Sequence, residues 1–281
     1  MKWSVLYPLS STGFLLPNGA GEGKDILVDM NGPKRPVLEN LEDHGSSPGR
    51  ISQVLVTHFH GDHFFPEEAL KLVRNGCRVY ISRSTWETMF EAWGKAPSKQ
   101  ETLAACREIQ SSGQLELLEP AGETTIGERQ VVWATFPHGD GALGCDNLSY
   151  RIDDHLFTGD TSTRSLFNPY ALGSERLLSL QNGSLVRVLC INIAQISRKE
   201  IHSRTDLAEL RIRNYLTNHG ILEDLLAVVE NSAYEAFFGA LETIVPHHIR
   251  RPTLEESAVL IRERLLGAAD RMGYDFDVVF Q

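Results

Sequence analysis

A mixed α/β fold with sheets inside and helices outside is predicted by three observations. The chain holds two β-rich blocks, each followed by helical patterns. Residues 53–82 read as strand, helix, strand, the signature of a βαβ unit. Its 281 residues, 42% hydrophobic and 23% charged, suffice to build a full core. That length suits one large α/β domain or at most two small ones, and a single domain over residues 1–281 is expected, with no internal repeat, low-complexity tract or linker.

In the first block, "KWSVLYPL", "TGFLLP" and "DILVDM" are short β-type runs, split by "SS" and by the hairpin-like turn "PNGAGEGK". A short helix is expected around Val37–Glu42. The strand "QVLVTH" follows, then the helix "FPEEALKLVRNG". Pro66 suits its first turn, acids come next, and Asn75-Gly76 ends it. "RVYIS" is the next strand, and helical patterns cover Trp86–Trp93 and Gln100–Gln110.

The second block runs through "LELLEP", "QVVWATF", "NLSYRID" and "HLFTGD" to the buried strand "SLVRVLCINIA". "DLAELRIRNYL" and "ILEDLLAVVENSAYEAFFGAL" read as amphipathic helices, forming a helical insertion around residues 203–241. A short strand "ETIVPHH" leads to the helix "TLEESAVLIRERLLGAADRM", with Thr253 and Glu256 in capping-box spacing, and "DFDVVF" reads as a last strand.

The net charge of -10 and pI near 5.5 count against a broad polynucleotide-binding face, because an acidic surface repels phosphate backbones. A small anionic substrate drawn in by a local cation stays compatible with that charge. Cys77, Cys106, Cys145 and Cys190 are scattered, with no C-x-x-C pair, and read as buried thiols of a reducing compartment. The N-terminal run alternates like a strand and lacks a small-residue cleavage site, and no stretch approaches membrane-spanning length. A cytoplasmic protein without membrane partners is expected.

The chemistry concentrates in "VLVTHFHGDHFF", Val54 to Phe65. His58 and His60 are two apart, so in extended backbone their side chains share one side. Asp62 and His63 follow on the turn into a helix, a turn that Gly61 is expected to permit. Imidazoles and a carboxylate together suit a divalent transition metal such as zinc, with manganese or iron as alternatives. Four such side chains exceed what one open catalytic metal takes from one loop. Two metals about 3.5–4 Å apart would use them. Further ligands must come from elsewhere: His138 in "FPHGDG", Asp160 in "FTGDTS", and His247 or His248 in "TIVPHHI", each just past an apolar β run.

This ordered set resembles the metallo-β-lactamase superfamily, from "ILVDMNG", with Asp29 at the family's structural aspartate, through "THFHGDH", "FPHGD" and "FTGDT" to "PHHI". The resemblance implies a four-layer αββα sandwich with a dinuclear site at one edge. It implies that His58, His60 and His138 hold one metal. Asp62, His63 and the last histidine would hold the other, and Asp160 would bridge them. His248 is favoured as that last ligand because an apolar residue, Ile249, follows it. Homodimers are common in this family.

Two metals sharing a water lower its pKa and polarise the electrophile, so hydrolysis is expected, with Asp62 orienting the attacking oxygen. "HGDGALGCDNLSYRIDDHLFTGDTS" resembles the RNase Z-like and cyclic-nucleotide phosphodiesterase-like branch, and the T-x-G-H-T run of glyoxalase II-like and lactonase-like enzymes is missing. "IHSRTDLAEL" resembles that branch's "HST" stretch, which would make His202 a proton-donating or supporting group. The branch carries a glutamate after the strand matching "VLCINIA", where this chain has Asn192 and Ala194. Thr161 and Arg250 are candidates for contact with a substrate phosphate. His44, His155 and His219 read as surface histidines. The leading expectation is a phosphodiesterase for a small phosphodiester such as a cyclic nucleotide. A lactone or thioester hydrolase is the alternative, and a binding or regulatory protein a third class.

Overall fold

The structure is a computed structural model, and it describes residues 4–5, 13–17, 25–30, 37–39, 41–138, 145–167, 173–181, 183–194, 219–249 and 254–280. The chain divides into two compact units, Met1–Pro120 and Ala121–Gln281.

The first unit carries a six-stranded sheet in sequence order: β1 (Ser4–Val5), β2 (Phe14–Leu16), β3 (Asp25–Val28), β4 (Ile51–Leu55), β5 (Arg78–Ser82) and β6 (Leu115–Leu118). β1 to β3 pair antiparallel, and β3 to β6 pair parallel. β3, β4 and β5 are buried nearly throughout, which is why they read as largely apolar runs rather than alternating ones. α1 (Pro66–Arg74) crosses from β4 to β5; α2 (Arg83–Gly94) and α3 (Gln100–Ser111) cross from β5 to β6. Pro66 occupies the first turn of α1, and Gly76 ends it at φ 87°, as the sequence signals predict. The helix expected at Val37–Glu42 is instead two 3₁₀ turns, Val37–Glu39 and Glu42–His44.

The second unit carries a seven-stranded sheet, also in sequence order: β7 (Ala121–Ile126), β8 (Arg129–His138), β9 (Cys145–Ile152), β10 (His155–Phe157), β11 (Val188–Asn192), β12 (Thr243–His247) and β13 (Asp277–Val278). β7 to β10 pair antiparallel, and β10 to β13 pair parallel. β8 and β10 each run opposite to β9, and β11 and β12 run with β10. The carboxyl ends of β8, β10, β11 and β12 therefore lie along one edge of this sheet, the edge where strand-end loops gather functional groups.

Among the described residues, the helices of this unit are α4 (Thr163–Phe167), α5 (Gly173–Gln181), α6 (Leu222–Val229), α7 (Glu235–Phe238) and α8 (Leu254–Met272). "ILEDLLAVVENSAYEAFFGAL" is therefore not one helix. It breaks after Val229, and Asn231 caps a 3₁₀ turn by accepting from the Ala233 N–H. The break lets Phe237 and Phe238 turn onto Phe167, with ring centroids 5.5 and 5.6 Å from it. "DLAELRIRNYL", Thr253 and the larger part of "PNGAGEGK" lie outside the described residues.

Candidate metal centre

In the first unit, the carboxyl ends of the parallel neighbours β3 and β4 deliver Asp29 and the His58–His63 turn to the same edge. The turn is tied down through its backbone. Asp29 N–H donates to Leu55 O, Met30 N–H to His63 O, and His63 and Phe64 N–H both to His60 O. Phe59 is buried edge-on against Trp93 at 5.5 Å, anchoring the residue between the two histidines in the core. The imidazoles of His60 and His63 lie 4.6 and 4.0 Å from that of His58, centroid to centroid. His58 and His63 are buried; His60 and Asp62 are half-buried. Gly61 is not in the left-handed region, and a Cβ added there meets nothing within 4 Å, so the turn itself does not require glycine.

Asp29 organises this group from behind. Its carboxylate accepts the Thr57 N–H at 2.7 Å and the Thr57 hydroxyl at 2.8 Å, and it lies 2.9 Å from His63 Nδ1. Thr57 Oγ1 is also 3.1 Å from His58 Nδ1. Asp29 holds a left-handed backbone at φ 60°, a conformation aspartate tolerates better than most side chains. Burial pushes its carboxyl above the usual carboxylate range, against the pull of His63 and of the two Thr57 donors.

In the second unit, one sheet edge gathers His138 from the end of β8, Asp160 past β10, and His248 past β12. The loop before α6 adds His219, which the sequence placed at the surface. Single ligand atoms of His138, Asp160 and His219 lie within 4.8 Å of one another. Asp160 Oδ2 is 3.9 Å from His138 Nε2 and 3.6 Å from His219 Nδ1, and its Oδ1 is 3.5 Å from His248 Nδ1. The His219 ring stacks on His248 at 5.3 Å and stands edge-on to His138 at 5.3 Å. His247 belongs to β12, where it pairs with Asn192, whereas His248 sits just beyond the strand at φ 61°.

Asp160 is held at both ends. Its N–H donates to Asn147 Oδ1 at 3.1 Å, and Asn192 Nδ2 donates to its Oδ1 at 2.5 Å. Gly159, at φ 56°, makes the tight turn before it. Thr161 corrects the sequence expectation of substrate contact. It is fully buried, and its hydroxyl is engaged by Asn147 Nδ2 at 2.8 Å and Ser149 Oγ at 3.2 Å, so it braces the Asp160 turn. His155 is likewise not a surface residue: it is buried within β10 beside Phe157. His202 and Arg250 lie outside the described residues.

Buried imidazoles with a carboxylate among them are the donor set of a divalent transition metal, so these clusters could hold one. His219 was missed because no apolar β-type run in the sequence leads into "TNHGILED" to mark a loop at an active edge. Its only signal was its place at the start of a helical run.

Residues 19–172 match the metallo-beta-lactamase superfamily. Among solved structures, the metallo-beta-lactamase fold protein YhfI from Bacillus subtilis is 13% identical and superposes with a TM-score of 0.59, over 99% of this chain and 95% of its own. Unliganded yeast PDE1 is also 13% identical, with a TM-score of 0.62 over 98% of this chain and 94% of its own. At that identity the two likenesses speak to the fold alone. No curated protein sequence matches the chain. The matched residues take in Asp29, the His58–His63 turn, His138 and Asp160, and the fold is the α/β sandwich expected from the sequence. The chain belongs to the metallo-beta-lactamase superfamily.

Proposed function

We propose that the protein is a metal-dependent phosphodiesterase with a dinuclear centre, whose substrate is a small phosphodiester such as a cyclic nucleotide. The observation that carries this reading is the gathering of His138, Asp160, His219 and His248 along one sheet edge of the second unit. The compact triad of His58, His60 and His63 in the first unit supports it. In this reading, following the superfamily's pattern, His58, His60 and His138 would hold one cation, Asp62, His63 and His248 would hold the other, and Asp160 would serve both. Zinc suits the donors, with manganese or iron as alternatives. When bound, such a pair would lower the pKa of water and polarise the electrophile.

The chain's own side chains do the rest. Asp62 orients the attacking oxygen by accepting its hydrogen bond. Asn192 and Asn147 hold Asp160 still, so no reorganisation is needed as charge develops. His219, beside Asp160, is the described imidazole suited to hand a proton to the leaving alkoxide, a role the sequence gave to His202. Arg250, two residues past His248 in the sequence, would offer a guanidinium to a phosphate.

The phosphodiester preference rests on "FPHGDG" followed by "FTGDT" in place of a T-x-G-H-T run. The net charge of -10 favours a small substrate over a folded nucleic acid. A cytoplasmic homodimer is part of the same proposal. Among the described residues, no helix is long and apolar enough to cross a membrane.

The test is turnover of bis-p-nitrophenyl phosphate with zinc or manganese supplied, alongside a lactone and a thioester. Activity on the phosphodiester alone supports the reading. Activity on the carbonyl substrates alone would move the protein to that class, and two bound equivalents of metal with no hydrolysis at all would mark a binding protein.

A further inference from the structure

Asn192 closes β11 and is fully buried. Its side-chain amide spans two elements of the second unit. Nδ2 donates to Asp160 Oδ1 at 2.5 Å, and Oδ1 accepts the Gly220 N–H at 3.0 Å. The Gly220 backbone lies against the end of β11. Ala194 N–H donates to Gly220 O at 2.9 Å, and a Cβ on Gly220 would fall 1.7 Å from the Asn192 carbonyl oxygen. Only glycine fits so close an approach. The residue before it is His219, whose Nδ1 is 3.6 Å from Asp160 Oδ2.

The orientation of this amide is forced by its partners. Turned over, its oxygen would face the Asp160 carboxylate and its NH₂ would face the Gly220 N–H, two repulsive contacts in place of two hydrogen bonds. A carboxylate at this position would set a second negative charge against Asp160. The neutral amide donates a hydrogen bond and keeps Asp160 aimed.

We propose that Asn192 is a positioning residue that sets, through one amide, both the carboxylate of Asp160 and the backbone that carries His219. The proposal rests on the reading of Asp160 as a metal ligand. Hydrogen bonds to a ligand fix its rotamer, and their loss weakens metal affinity about 10–100-fold.

The experiment titrates zinc into the full-length protein against a chromophoric chelator and records the cobalt-substituted absorption spectrum. Asn192→Ala is compared with wild type and with Val188→Ala, a core truncation in the same strand. Asn192→Ala is expected to weaken at least one equivalent of zinc about 10–100-fold, to change the cobalt spectrum, and to lower kcat more than it raises KM. Val188→Ala is expected to leave affinity and spectrum unchanged. If Asn192→Ala does not fold, Asn192→Ser, which keeps a hydroxyl in that space, is read in the same way. A folded Asn192 variant with wild-type affinity and spectrum overturns the proposal while leaving the metal centre standing. A wild type that takes up no metal overturns both.

Discussion

The Asp29 carboxylate and His63 Nδ1 lie 2.9 Å apart, and both side chains are buried. That contact makes Nδ1 the protonated nitrogen and leaves Nε2 as the lone-pair nitrogen of His63 for a metal. Asp29 does the same work for the backbone of the turn by accepting the Thr57 N–H. Asp29→Ala removes one partner from a buried, hydrogen-bonded pair. It is expected to cost about 3–5 kcal/mol, read as a lowered midpoint in denaturant unfolding. Asp29→Asn keeps an acceptor for Thr57 and is expected to fold better, yet to bind zinc about 10–100-fold more weakly in chelator competition. Asp29→Asn with wild-type zinc affinity would show that the tautomer of His63 does not matter.

The histidine turn gives the second prediction. His58 is fully buried, with the rings of His60 and His63 against its own. His58→Ala is expected to remove one equivalent of bound metal, measured by elemental analysis, and to abolish turnover of bis-p-nitrophenyl phosphate. Retained activity would contradict the ligand assignment.

How much of this was legible in the sequence depended on how local the determining physics was. α1 was readable to the residue, because its Pro66 start and Asn75-Gly76 stop are signals carried by the helix itself. β5 was readable because a parallel strand buried on both faces leaves an unbroken apolar run. β7 was not. It is an edge strand, "AGETTI", whose residues alternate with solvent, so no apolar run marks it. The break between α6 and α7 was hidden for another reason. The helical periodicity of the segment is real, but the contacts of Phe237 and Phe238 with Phe167, distant in sequence, bend it. The ligands in "THFHGDH" announced themselves by crowding, whereas His219 and Asn192 acquire meaning only once β8, β10, β11 and β12 end on one edge.

Gly76 offers a test of one such local signal. It sits at φ 87° past α1, and an added Cβ meets nothing within 4 Å. The only cost of Gly76→Ala is therefore backbone conformation, expected at about 1–2 kcal/mol. Thermal unfolding should show a midpoint a few degrees lower, with zinc affinity unchanged. A neutral result would mean that the end of α1 relaxes to a right-handed conformation.

His155 predicts a pH dependence away from the metal ligands. Burial lowers its pKa below the ordinary 6.5, and the neighbouring Asp154, 2.7 Å from its Nδ1, only partly offsets this. The unfolded chain therefore binds a proton more readily than the folded one. Stability from this group is present above about 6.5 and is lost as pH falls toward the lowered folded value. The loss is limited to about 1.4 kcal/mol per pH unit for one proton. His155→Gln cannot titrate, so the difference in unfolding free energy between wild type and variant should shrink as pH drops from about 7 to about 5. A difference independent of pH would show that His155 is protonated alike in both states.

The cysteines give the last prediction, and it separates burial from reactivity. Burial pushes the thiols of Cys77 and Cys106 up to about 12, and that of Cys190 well above its ordinary value. The thiolate is the reactive form, so at neutral pH these three are protected twice, by access and by protonation. Cys145 is only half-buried and pairs across the β8–β9 ladder with His138. An aromatic disulfide reagent at neutral pH is therefore expected to label one thiol quickly in the folded protein and all four after denaturation. Peptide mapping should place the fast label on Cys145. Rapid labelling of Cys77 or Cys190 would show that the sheets open on the timescale of the reaction, because both side chains are fully buried.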